Sequence, residues 1–271
     1  MEDTLHQRVA PRHLPDHLLA HGRPIVDLAE AAGLMGLELH AAADALVRLR
    51  RAGQIFSPTR GLYVAVPPEF RTWRAVPALD FIHSMMRADD RHYYVALLSA
   101  AELHGAAHQR PQVFQVMVDK PLNDRDFDRI HLRFYSRTHL DDVPVVLVNS
   151  RIDQVRVSSP AATALDLVSR PQDAGGLSNV ATVLFEMVDA TGLSAEDVLA
   201  AAVVFPSSSL RRLGWLCDFV NASLDRDALA RRLESEPTGR AHVLLDSRGA
   251  RRGSGANRWG VVANATVEPD L

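Results

Sequence analysis

The chain has 271 residues, 47% of them hydrophobic and 23% charged, with a formal net charge of −3. This is a globular composition, long enough for one large or two ordinary domains, and it excludes both a disordered tail and a uniformly basic nucleic-acid binder. Every basic residue but Lys120 is an arginine, and the single Cys217 excludes an intrachain disulfide framework and a cysteine-based zinc cluster.

Met1–Arg8 lacks the basic start and apolar run of a secretory signal, and the longest apolar run, Val198 to Phe205, is too short to span a bilayer, so a cytoplasmic protein is expected. Pro15 to Ala20 predicts a short helix stopped by Gly22, followed by extended Arg23-Pro24-Ile25. Val26 to Ala32 predicts a second helix stopped by Gly33. Leu34-Met35-Gly36-Leu37 then turns the chain into a third helix from about Glu38 to Arg51. On that helix Leu39, Ala43, Leu46, Val47 and Leu49 recur at helical spacing as the core stripe, leaving His40, Asp44, Arg48 and Arg51 on the wet side. Asp44 and Arg48, four apart, can pair there. Gly53 is placed as a left-handed stop, and Ile55-Phe56 and Leu62 to Val66 read as strands around the loop Ser57-Pro58-Thr59-Arg60-Gly61.

Helix, extended piece, helix, turn, helix and hairpin are the order of a winged helix-turn-helix. Its DNA-facing residues are expected to be His40, Arg48 and Arg51 on the third helix with Thr59 and Arg60 at the wing tip. Pro67-Pro68 marks a boundary, after which a mixed segment begins. Helices are predicted at Pro77–Arg87 and His92–His104, and strands at Val113–Val118, Ile130–Ser136, Val145–Asn149 and Ile152–Val157. Ser158-Ser159-Pro160 opens a helix to Ser169, with further helices at Ser178–Ala190, Ser194–Val204, Ser208–Val220 and Asp227–Glu234. His242–Asp246 and Trp259–Val267 read as closing strands. The expected fold class is α+β, with a winged helix-turn-helix domain over 10–67 and a larger mixed α/β domain over 75–271.

Arg60-Gly61-Leu62-Tyr63-Val64, Tyr93 to Gly105, Val157 to Leu167 and the late Asn257-Arg258-Trp259-Gly260, in this order and spacing, resemble the AbiEi family of toxin–antitoxin antitoxins. The resemblance covers most of the chain. It implies a DNA-binding N-terminal domain that represses its own operon and a C-terminal domain that antagonises a nucleotidyltransferase-type toxin. The implied partners are therefore double-stranded operator DNA and that toxin, with no membrane. A rival reading is a one-component regulator whose second domain binds a small-molecule effector.

The remaining chemistry is sparse, and neither a cofactor nor a catalytic set is expected. His13, His17 and His21 lie four apart but lack a further ligand cluster, which favours surface histidines over a metal site. Asp124, Asp126 and Asp128 begin like a calcium loop that fails at Arg129 and Tyr135, and read as a solvated acidic loop. Gly249 to Gly255 lacks the Gly-Lys-Ser/Thr of a phosphate loop. It reads as a tail, or as a second basic contact through Arg248, Arg251, Arg252 and Arg258. Ser158 and Ser159 are explained by capping. His104 reads either as a satisfied buried histidine or as part of a partner surface.

Overall fold

The computed structural model of the chain describes residues 8–106, 111–127, 129–235, 242–253 and 257–271. The readings of Met1–Gln7, Asp128 and Ser254-Gly255 lie outside the described residues. In chain order the elements are α1 (Leu14–Ala20), β1 (Ile25–Asp27), α2 (Leu28–Met35), α3 (Leu39–Arg51), β2 (Ile55–Phe56), β3 (Leu62–Ala65), α4 (Ala78–Ala88) and β4 (Tyr93–Val95). Then come α5 (Leu97–Leu103), β5 (Phe114–Val118), β6 (Arg125–Phe127), β7 (Ile130–Ser136), β8 (Val145–Asn149), β9 (Gln154–Ser158) and α6 (Pro160–Ser169). The chain ends with α7 (Gly176–Thr191), α8 (Ala195–Ala202), α9 (Ser207–Phe219), α10 (Arg226–Glu234), β10 (Val243–Leu244) and β11 (Val261–Val262). The fold is mixed α and β, with three sheets of strand order β1-β3-β2, β6-β7-β5-β4-β9-β8 and β10-β11.

The chain forms two compact units, Met1–Tyr93 with Val118–Phe134 and Leu147–Arg156, and Tyr94–Met117 with Tyr135–Val146 and Val157–Leu271. This division differs from the one read at Pro67-Pro68, and aromatic packing within the first unit is the reason. Phe56 of β2 sets its ring edge-on to Phe81 of α4 and Phe127 of β6, with centroids 5.2 and 5.0 Å away. Ala75 and Val76, beyond the two prolines, are buried.

In the first unit, α1, α2 and α3 close on one apolar core that includes Leu14, Leu18, Met35, Leu46 and Ile55. Asp27 starts α2 by accepting a hydrogen bond from the Glu30 amide at 2.8 Å. The helix runs through Gly33 and stops at Gly36, whose φ of 63° is the left-handed C-terminal conformation, so the stop expected at Gly33 moves one turn on. Both β1 and β2 pair antiparallel to β3, with Ile25 opposite Val64 and Ile55 opposite Ala65. The acidic loop at Asp124 contains a strand as well, β6, paired with β7 so that Asp126 faces His131. Asp126 accepts hydrogen bonds from His131 and Arg133, both at 2.8 Å, and these partners hold its carboxyl below the usual range.

The core face of α3 is corrected too. Ala42, Ala45, Leu46 and Leu49 are buried, whereas Leu39 and Val47 are 55% and 38% exposed. The sequence reading weighted the larger side chains, but the small alanines are what let α3 approach its neighbours closely.

The second unit is built around α6, whose residues Ala161–Val168 are all buried. A helix apolar all round belongs inside a core, and α6 packs against α5, α7, α8 and α9. Its start is as read: the Ser159 hydroxyl accepts from the Ala162 amide at 3.2 Å, with Pro160 in the first turn. The helix expected over His92–His104 is instead β4 followed by α5. Tyr93-Tyr94-Val95 are strand-forming residues, and Val95 pairs in parallel register with Val157 of β9.

The late Asn257-Arg258-Trp259-Gly260 segment is a latch on α9. The Asn257 side-chain oxygen accepts from the Trp259 and Val261 amides. Trp259 is 1% exposed and its indole N–H donates to Asp218 at 2.6 Å. Gly214 on α9 leaves the slot for the ring, since a Cβ there would overlap it. A Gly214→Ala substitution is expected to destabilise the fold by about 1–3 kcal/mol, lowering the melting temperature without changing helix content. An unchanged melting temperature would show that the indole is not seated there.

Candidate nucleic-acid interface and the buried polar centre

The exposed side of α3 carries His40, Asp44, Arg48, Arg50 and Arg51, and Arg60 is exposed on the β2–β3 loop. Asp44 faces His40 at 3.8 Å, and the Asp44–Arg48 pair that the spacing allows is absent. The side chains of Arg48, Arg50, Arg51 and Arg60 have no hydrogen-bond or ion-pair partner among the described residues. Basic side chains in the last turn of α3 also suit the negative end of its dipole.

Thr59 has a different job from the one read in the sequence. Its hydroxyl donates to Asp89, the residue that closes α4, at 2.7 Å. The other Asp89 oxygen accepts from Arg125 of β6 at 2.8 Å, and Arg125 donates in turn to the Pro58 carbonyl at 2.9 Å. This ring of four residues ties the loop down just before Arg60, which stays exposed.

In the second unit, Arg248, Arg251 and Arg252 are exposed, and their side chains have no partner among the described residues. Arg258 is engaged: it donates to both Asp218 oxygens, at 2.9 and 2.7 Å, and to Asp227. It belongs to the latch on α9, and the basic segment contains three uncommitted arginines instead of four. Arg212, beside it, donates to the Leu244 carbonyl at 2.9 Å.

The centre of the second unit is polar and fully buried at one point. Asp166, on the inner face of α6, is 1% exposed. One of its oxygens accepts from the Tyr94 hydroxyl and the other from Arg137, both at 3.0 Å. Arg137 also donates to the Val204 carbonyl at 2.7 Å and lies 3.9 Å from the Phe205 ring centre. Burial pushes the Asp166 carboxyl up to about 6 against the opposing pull of Arg137 and Tyr94. The same burial raises the Tyr94 hydroxyl, which therefore stays a donor.

Nearby, His104 is held below its usual pKa by burial and its Nε2–H donates to the Ser158 carbonyl at 2.8 Å. His104 is thus a satisfied, partly buried histidine. The Ser158 hydroxyl lies 2.6 Å from that of Thr163 and donates to the Val95 carbonyl at 3.3 Å, so it is a structural group. Leu97, at the turn into α5, is buried with a φ of 53°, uncommon for a leucine. Gln115 braces that turn: its side-chain oxygen accepts from the Leu98 amide, and its amide nitrogen donates to the Asp173 carbonyl at 2.7 Å. The sequence reading passed over Arg137 and Gln115, since one follows a strand and the other lies within one, and neither carries a local motif.

Tyr94, Val95 and His104 on one stretch therefore meet Val157, Ser158 and Asp166 on another, which is what the Tyr93–Gly105 and Val157–Leu167 resemblances require if they describe one domain. Residues 94–219 match the family described as AbiEi antitoxin C-terminal domain. Over those residues, just under half of the chain, the protein is similar to this antitoxin domain family. None of the curated proteins matches the sequence. Among solved structures, the RV2827C protein from Mycobacterium tuberculosis is similar over 94% of this chain and 92% of its own, with a TM-score of 0.66 at 15% identity, so the two share a fold. An antigenic nucleotidyltransferase-like protein from Paracoccidioides brasiliensis covers 54% of this chain and 92% of its own at 9% identity, but its TM-score of 0.33 establishes no fold relation. No helix among the described residues is long and apolar enough to cross a membrane.

The raised Asp166 pKa fixes a sign. The folded state holds this proton at a pH where the unfolded chain has released it, so stability falls as pH rises from about 4 to about 6. The contribution is on the order of 2–3 kcal/mol. Denaturant titrations of the wild type and Asp166→Asn across that window are expected to show the slope in the first and a flatter profile in the second. Arg137→Leu strands the carboxylate and is expected to cost about 3–5 kcal/mol at pH 8 and less at pH 5. An equal cost at both values would mean that Asp166 does not titrate there.

Proposed function

We propose that this protein is a DNA-binding antitoxin of the cytoplasm. Residues 10–67 act as a winged helix-turn-helix that represses the operon encoding it, and the AbiEi-like domain antagonises a nucleotidyltransferase-type toxin. The observation that carries the DNA reading is the set of unpaired arginines, Arg48, Arg50 and Arg51 on α3 and Arg60 on the loop, within a chain whose net charge is −3. A protein without overall basic charge that keeps four guanidinium groups free of acids on one helix and its hairpin has a local surface suited to phosphate. The element order supports the same reading: α2 and α3 are joined by a three-residue turn, and α3 leads directly into the β2–β3 hairpin. His40 stands on the wet face of α3, while Thr59 serves by holding the loop. Arg248, Arg251 and Arg252 supply a second electrostatic contact.

Every phosphate that a protein ceases to neutralise lowers the salt slope of binding by about 0.9. Arg48→Ala, Arg51→Ala and Arg60→Ala are therefore each expected to bind DNA from upstream of the gene more weakly, with a shallower dependence on salt. Affinity and slope unchanged in all three would remove the surface from α3 and the loop. The same variants, expressed with the neighbouring toxin from an unrelated promoter, should still rescue growth. If rescue instead falls in step with DNA affinity, antagonism runs through DNA binding and the two-function reading is wrong.

A further inference from the structure

The outward face of α3 is not only basic. Leu39, Ala43 and Val47 follow one another at four-residue spacing, and Leu39 and Val47 are 55% and 38% exposed while Ala42, Ala45, Leu46 and Leu49 are buried. At 100° per residue the buried set centres opposite Val47, His40 and Arg51, so Val47 stands mid-face between the basic side chains. Leu39 is the first residue of the helix, the end from which a recognition helix meets base edges. An apolar stripe at these positions cannot donate to or accept from a base. The one apolar feature that the major groove offers is the thymine methyl group.

We propose that the Leu39–Ala43–Val47 stripe is a base-reading surface that selects thymine by its methyl group, with Arg48, Arg50, Arg51 and Arg60 fixing the helix on the phosphates. This rests on the nucleic-acid reading above and adds what that reading lacks, a source of sequence preference on the first half of α3, which carries no arginine. A second copy of the chain is the competing occupant of an exposed apolar face. Charge argues against it: a two-fold contact through this face would bring the unpaired arginines of both copies together with only the His40-paired Asp44 between them.

The experiment uses the full chain and a duplex from upstream of its own gene, alongside the same duplex with uracil in place of thymine, which removes only the methyl groups. The wild type is expected to bind the uracil duplex about fourfold more weakly for each methyl that the stripe covers, the value of one buried methylene. Leu39→Ala and Val47→Ala should weaken binding to the thymine duplex and show a smaller loss on going to uracil. Both residues are exposed, so an unchanged melting temperature is expected for the variants. Equal wild-type affinity for the two duplexes overturns the inference while leaving the nucleic-acid reading in place. No binding to either duplex at low salt overturns both. A fall in the sedimenting mass of the free protein on Val47→Ala assigns the face to contact between copies and overturns the inference alone.

Discussion

A carboxylate taken out of water must be met by donors, and in the second unit everything around Asp166 is arranged to do so. Tyr94 comes from β4, and Arg137 comes from the turn after β7 and reaches on to the Val204 carbonyl between α8 and α9. One ionisable group on a buried helix thereby fixes the relation of a strand, a loop and two further helices. An apolar residue in its place would take the acceptor from the Tyr94 hydroxyl and leave the buried Arg137 charge with a carbonyl but no acid, so the three groups depend on one another. His104 on the Ser158 carbonyl and Gln115 on the Leu98 amide extend the same logic to the edges of α6 and α5.

Arginine does two kinds of work in this chain. In the second unit, Arg137 and Arg258 are held by acids and carbonyls, and Arg258 lies across the face of the indole it helps to seat, 4.9 Å from the ring centre. On α3 and its hairpin the guanidinium groups are left to solvent. Because almost every cation in this chain is arginine, residue type does not separate the two roles. Only the acids around each one do.

Much of this was legible in the sequence where local chemistry decides it. The Ser159 cap and Pro160 located α6 to the residue, Gly53 took its left-handed φ of 70°, and β7 and β8 lie where alternation put them. The misreadings have tertiary causes. Tyr93-Tyr94-Val95 looked helical next to the alanine-rich stretch that follows, yet they form a strand because β9 is there to pair with them. The α3 stripe was rotated because Ala42 and Ala45, not Leu39 and Val47, meet the core. The Thr59–Asp89 bond went unread because nothing near Thr59 in sequence announces Asp89, thirty residues on. The order and spacing of the segments that resemble the AbiEi family were legible, but the meeting of two of them at Tyr94 and Asp166 depends on distances that no spacing encodes.

The ring of Thr59, Asp89, Arg125 and Pro58 bears on how such a protein changes in evolution. The hairpin loop is moored to α4 and β6, and β6 is encoded some sixty residues downstream, after the chain has passed through the other unit. A recombination joint at Pro67-Pro68 would transplant α1 to β3 without their mooring. The helices and hairpin of the first unit are therefore poorly suited to exchange as a cassette. Single substitutions are instead open on the outer face of α3, where changes leave the core untouched.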